Sequence, residues 1–143
     1  MFHVNYKGFH SVLLKLLGEK MKIYLGHATT FDYQKDLYEP LKNSELWMQY
    51  KFFLPHEFGT EPINSKDIIA SCEIFVAEVS YPSTGLGIEL AWASTAACKM
   101  LCLVKENTKP SSSIRMITSN IIQYVDRGSL INKLSLWLDS IKG

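Results

Sequence analysis

The chain has 143 residues and a net charge of +1, with 47% of residues apolar and 20% charged. That length supports one domain with an ordinary core, and the near-neutral balance excludes bulk attraction to nucleic acid or an anionic membrane surface. No apolar run reaches the length of about 18 residues that a bilayer span needs, and the first residues show no secretory pattern.

Cys72, Cys98 and Cys102 lie in or beside apolar segments without CxxC spacing. Reduced, buried thiols in a cytoplasmic protein are therefore expected, rather than disulfides or zinc ligands. Residues 1–20 read as an N-terminal extension to a domain over 21–143. Within it, Val12, Leu13, Leu16 and Leu17 mark one side of a short amphipathic helix ahead of Gly18, suited to packing on the domain or on a partner subunit.

Ile23, Tyr24 and Leu25 form a first strand, and residues 26–30 the loop that leaves it before a helix over 31–43. A glycine here, Gly26, brings backbone close to a ligand, and it serves a tight turn without a ligand equally well. Residues 51–54 make a short second strand. His56 follows, placed either to orient a substrate or to act as a structural hydrogen-bonder. The run S-K-D-I-I-A-S over 65–71 predicts a helix with Ser65 as N-cap and Asp67 in the first turn, where a carboxylate complements the helix dipole.

The next stretch organises the rest. Ile74, Phe75, Val76, Ala77 and Val79 form an apolar, partly β-branched run too short for a helix, and predict a strand over 73–79 buried on both faces. Ser80, Pro82, Ser83, Thr84, Gly85 and Gly87 then punctuate a loop, and strong helix formers begin at Ile88. Glu89 therefore falls in a first helical turn. It is the only Asp, Glu, Lys, Arg or His between Glu78 and Lys99. A carboxylate there either complements the dipole or faces a crevice on which backbone N–H groups converge.

Residues 100–104 predict another buried strand, 105–113 a polar loop whose serines suit solvent or a phosphate, and 121–125 a last strand. A closing helix over 129–141 carries Ser129 as N-cap. The alternation of strands and helices predicts an open, mostly parallel α/β sandwich of about five strands, a Rossmann- or flavodoxin-like three-layer fold that binds ligands beyond the strands' carboxyl ends. The loops at Gly26, at 80–87 and at 105–113 share that edge, and Glu89 is the best candidate reactive group among them.

The segment V-A-E-V-S-Y-P-S-T-G-L-G-I-E-L-A-W-A, with its Ser-x-Gly-x-Gly-x-Glu core at Ser83 to Glu89, resembles the signature of the nucleoside 2-deoxyribosyltransferase family, and most closely its branch of 2′-deoxynucleoside 5′-phosphate N-hydrolases. The resemblance implies cleavage of an N-glycosidic bond with Glu89 as nucleophile and Tyr24 beside it, and with no metal or cofactor. Gly85 and Gly87 would shape the turn beneath Glu89. Ser83 falls on a 5′-phosphate-binding serine, and Ser113 on a second one supplied by the neighbouring subunit of a homodimer. Gly26 matches the family's first loop, and His56 a histidine on the base side of the pocket.

Where those hydrolases have a serine and an arginine in the first loop, this chain has His27 and Thr29. Where they carry an aspartate, ungapped alignment gives Ser65, with Asp67 two residues on as the candidate acid for the departing base. The competing readings are a deoxyribosyltransferase on free nucleosides, an NAD hydrolase of related architecture, and a non-catalytic nucleotide-binding module.

Overall fold

The computed structural model describes residues 6–59 and 61–142. Five strands, β1 (Lys22–His27), β2 (Lys51–Phe53), β3 (Ile74–Glu78), β4 (Lys99–Lys105) and β5 (Ile121–Tyr124), form one sheet in the order β2-β1-β3-β4-β5. Every pairing is parallel, so the expected open α/β sheet is present. The strand order reverses between β1 and β3, which places the crevice for a ligand at the carboxyl ends of these two strands.

Side chains alternate between the two sheet faces with period two. Ile23, Leu25, Ile74, Val76, Leu101 and Leu103 belong to one buried cluster, with Leu41, Leu130, Leu134 and Leu138 from α2 (Glu39–Lys42) and α6 (Arg127–Ser140). Tyr24, Phe75, Ala77, Met100 and Cys102 point the other way and pack with Ile69, Leu86 and Leu90 from α4 (Lys66–Ser71) and α5 (Thr84–Thr95). The result is three layers, with α4 and α5 covering the face that carries Tyr24.

Several boundaries differ from the sequence reading. The stretch expected as one helix over 31–43 begins as a π-helical turn at Gln34–Tyr38 and continues as α2. A short α3 (Leu46–Gln49) precedes β2. The helix expected from Ile88 starts four residues earlier, because Ser83 adopts an extended backbone and its Oγ accepts from the Leu86 N–H at 3.3 Å as a true N-cap. Gly85 and Gly87 are therefore helical, not parts of a turn, and Glu89 lies in the second turn. Residues 112–116 form a 3₁₀ turn. Asp126, not Ser129, caps α6; Ser129 sits three residues on and returns a hydrogen bond in a capping box.

The helix α1 (Tyr6–Leu16) docks on the domain, with residues 1–5 of the expected extension outside the described residues. It is held by polar contacts: Lys7 Nζ donates to the Cys72 carbonyl and meets Cys98 Sγ at 2.8 Å, and His10 Nε2 lies 3.3 Å from Glu73 Oε1. Val12, Leu13, Leu16 and Leu17 stay exposed, so the apolar stripe read from the sequence is not the face that docks. Cys72 and Glu73 precede β3, at the edge of the sheet opposite the crevice. No helix among the described residues is long and apolar enough to cross a membrane.

Candidate active site

At the crevice, Glu89 presents a half-buried carboxylate from α5. Its Oε2 accepts two hydrogen bonds, one from the Tyr24 hydroxyl and one from Ser65 Oγ at 2.7 Å. Its Oε1 accepts none among the described residues. The two donors reach one oxygen from two elements: Tyr24 from the middle of β1, and Ser65 from the residue that leads into α4.

Tyr24 has little freedom to leave this position. Its ring is wholly buried between those of Phe53 and Phe75, with both centroid separations 5.3 Å and both pairs stacked. Burial first, and the Glu89 carboxylate second, push its phenol far above the ordinary tyrosine range. The hydroxyl thus stays protonated and donates. Ser65 corrects the sequence reading: its backbone is already helical, its side chain makes no cap, and its hydroxyl is spent on Glu89 instead. A tertiary carboxylate competes better for that hydroxyl than the local amides do.

A cavity of about 350 Å³ opens over Glu89, lined by His27, Thr29, His56, Ser65, Ser83 and Trp92 among others. Pro55, Pro62, Ile63, Leu86 and Ile88 add apolar wall, giving the mix of flat apolar surface and few polar groups that suits a small organic ligand. Gly85 also borders it. A Cβ there would meet nothing closer than Ser83 Oγ at 4.0 Å, so the position has room for a side chain. Gly87 borders an adjoining cleft of about 560 Å³ that shares Ser83 and Leu86 with the first and contains Ser113. Neither lining includes a lysine or arginine.

Three expected site residues do other work in the structure. Gly26 is inside β1 and does not line the cavity; a Cβ on it would fall 2.7 Å from Phe75 Cζ and 3.0 Å from Leu86 Cδ1, so its role is close packing of the strand against α5. His27 lines the cavity but is buried, and both its ring nitrogens are engaged. Nδ1 donates to the Ala28 carbonyl at 2.7 Å, and Nε2 accepts from the Tyr38 hydroxyl. Burial pushes this imidazole down to about 4 against the pull of the carbonyl, which leaves it neutral and unable to replace a cation. Asp67 is exposed on α4 and is absent from the lining, because its helix turns the next residue but one after Ser65 away from the crevice.

Sequence reasoning left Trp92 as a residue that could shape the base pocket, without a position, and gave Tyr38 no part in the site. Trp92 lies three residues beyond Glu89, so helical periodicity puts both on one face of α5. Tyr38 had no signal, because its link to His27 and to the His56 amide, at 3.1 Å, is a contact across the π-helical turn.

The chain shares its fold with a CMP N-glycosidase. That protein, BcmB of Clostridium botulinum, matches with a TM-score of 0.62 at 22% sequence identity, over 81% of this chain and 98% of its own. No protein-family model and no curated protein sequence matches.

Proposed function

We propose that this protein is an N-glycosidase that hydrolyses 2′-deoxynucleoside 5′-monophosphates to free base and deoxyribose 5-phosphate, with Glu89 as nucleophile. The observation that carries this reading is the asymmetric Glu89 carboxylate. Two hydroxyls fix Oε2 and leave Oε1 without a hydrogen bond, in a cavity with apolar walls. Cleavage of an N-glycosidic bond passes through a cationic, oxocarbenium-like sugar, which a fixed carboxylate stabilises and captures at C1′; water then releases the sugar. The cation forms more readily on a 2-deoxy sugar, which lacks the electron-withdrawing 2′-hydroxyl.

A 5′-phosphate fits the start of α5. The first amides of this helix of 12 residues carry its positive dipole end, and the Ser83 hydroxyl, while accepting from Leu86, keeps its own proton to donate. The same reading makes the protein a homodimer in which Ser113 of one subunit, exposed on the 3₁₀ turn, serves the site of the other.

The lack of lysine and arginine in either lining favours a second reading, a transferase that acts on free deoxynucleosides and passes the sugar to another base. Incubation with each deoxynucleoside 5′-monophosphate and its nucleoside, with free base followed by chromatography, separates the two. Base released from monophosphates by the wild type and not by Glu89→Gln supports the hydrolase. Release from nucleosides only when an acceptor base is added supports the transferase, and no release from any of them overturns both.

A further inference from the structure

Departure of a nucleobase leaves an electron pair on a ring nitrogen, and unless a proton arrives the base leaves as a poor, anionic leaving group. The residue that would supply that proton follows from the lining of the Glu89 cavity, on the proposed glycosidase reading. Asp67 is exposed and outside the cavity. Tyr24 and Ser65 already give their protons to Glu89 Oε2. His27 is neutral, with one nitrogen donating to a carbonyl and the other accepting from Tyr38. Thr29, Ser83 and Trp92, the remaining polar side chains of the lining, are too weakly acidic to transfer a proton at neutral pH.

His56 remains. It follows β2, half-buried, and its backbone is tied down on both sides: its N–H donates to the Tyr38 hydroxyl at 3.1 Å, and its carbonyl accepts from Gln34 Nε2 at 3.2 Å. The ring lies edge-on to that of His27, 5.4 Å between centroids. Its Nδ1 is 3.2 Å from the Gly59 carbonyl, an acceptor only, so Nδ1 carries a proton and donates. Nε2 has no hydrogen-bond partner among the described residues. An imidazole so oriented has Nε2 free to carry a second proton and to pass it to an acceptor in the cavity.

We infer that His56 is the general acid of this site, protonating the departing base from Nε2 and then activating the water that releases the sugar. The steps balance. As Glu89 Oε1 bonds to C1′, the C1′–N bond breaks, its electron pair stays on the base nitrogen, and that nitrogen takes the Nε2 proton. Water entering the vacated space gives a proton back to Nε2 as its oxygen bonds to C1′, and Glu89 leaves as the carboxylate. The imidazolium is restored, and the sum is nucleotide plus water to base plus sugar phosphate.

The test is the pH dependence of kcat/KM for wild type and His56→Gln on the best monophosphate substrate. The titratable groups around His56 are Glu89 across the cavity with Tyr24 bonded behind it, His27 at the end of β1, Tyr33 and Tyr38 at the π-helical segment, and Glu57 beside it, which pairs with Lys42 at 2.6 Å. Tyr24 and Tyr38 are driven up and His27 down by burial, so none of these three supplies a limb near neutrality. The expected wild-type profile has an alkaline limb, falling as the pH rises and Nε2 gives up its proton. In His56→Gln the rate at pH 7 is about 10²- to 10⁴-fold lower, the loss is in kcat, and that alkaline limb is gone.

A loss under tenfold, a loss confined to KM, or an unchanged profile in the variant overturns the assignment while leaving the glycosidase reading intact. So does a wild-type profile with no alkaline limb, a result that needs no variant to fold. Absence of base release by the wild type at every pH removes the glycosidase reading and this assignment with it.

Discussion

Deleting the hydroxyls that hold Glu89 tests whether its geometry matters to catalysis. Tyr24→Phe and Ser65→Ala each remove one donor to Oε2 and leave the surrounding packing in place, since the Tyr24 ring keeps its stacking between Phe53 and Phe75. A hydrogen bond to a charged acceptor contributes about 1.5–3 kcal/mol net. At about 1.4 kcal/mol per factor of ten, each variant should lose about 10- to 150-fold in kcat/KM if the bond is needed to aim Oε1 at the sugar. The double variant should lose less than the product of the two, because loss of either donor already loosens the carboxylate that both fix through one oxygen. Single-turnover base release, with a thermal melt to confirm that each variant is folded, gives all four corners of the cycle. Single losses under threefold would refute the idea that Glu89 must be held, and strict multiplication in the double variant would refute the shared-oxygen argument.

Two further outcomes follow from packing and burial. Gly26→Ala puts a methyl group 2.7 Å from Phe75 Cζ and 3.0 Å from Leu86 Cδ1. Overpacking of this kind should cost about 1–3 kcal/mol by urea unfolding and disturb Glu89 through the Phe75–Tyr24 stack; unchanged stability would contradict the close approach. His27 gives a pH effect of definite sign. The unfolded imidazole takes a proton below about pH 6.5, whereas the folded one resists until about 4, so protonation opposes folding. Stability should fall by about 3 kcal/mol from this group as pH drops from 6.5 to 4. The wild type should therefore lose about that much more than His27→Gln over the same interval, and parallel losses would contradict the burial argument.

The sheet was legible because parallel strands buried on both faces appear as short continuous apolar runs, and 74–78 and 99–105 are such runs. Glu89 was legible as the lone charged side chain between Glu78 and Lys99. The start of α5 was not. Gly85 and Gly87 are poor helix formers, and only the Ser83 cap with the packing of Leu86 on Phe75 and Gly26 overrides them. Ser65 shows the opposite failure: a serine before a helical run has a local reading as a cap, and nothing within seven residues announces a carboxylate that stands 24 positions away. His27 read as a loop residue near a ligand, yet its partners Ala28 and Tyr38 consume it, the second through a π-helical turn that periodicity reads as ordinary helix. The polar loop 105–113 was legible as lying at the same edge as Ser83, but nothing in it showed that Ser113 would share a cleft with Ser83 of its own chain.

The claim on which the rest depends is that Glu89 forms a bond to the sugar. A 2′-fluoro-2′-deoxynucleoside 5′-monophosphate slows release of the sugar more than an unsubstituted substrate does, so intact-protein mass spectrometry during turnover should show a glycosyl adduct. Peptide mapping should place it on Glu89, and Glu89→Gln should show none. Base release without any adduct in the wild type, an adduct on another residue, or full activity in Glu89→Gln would contradict the account.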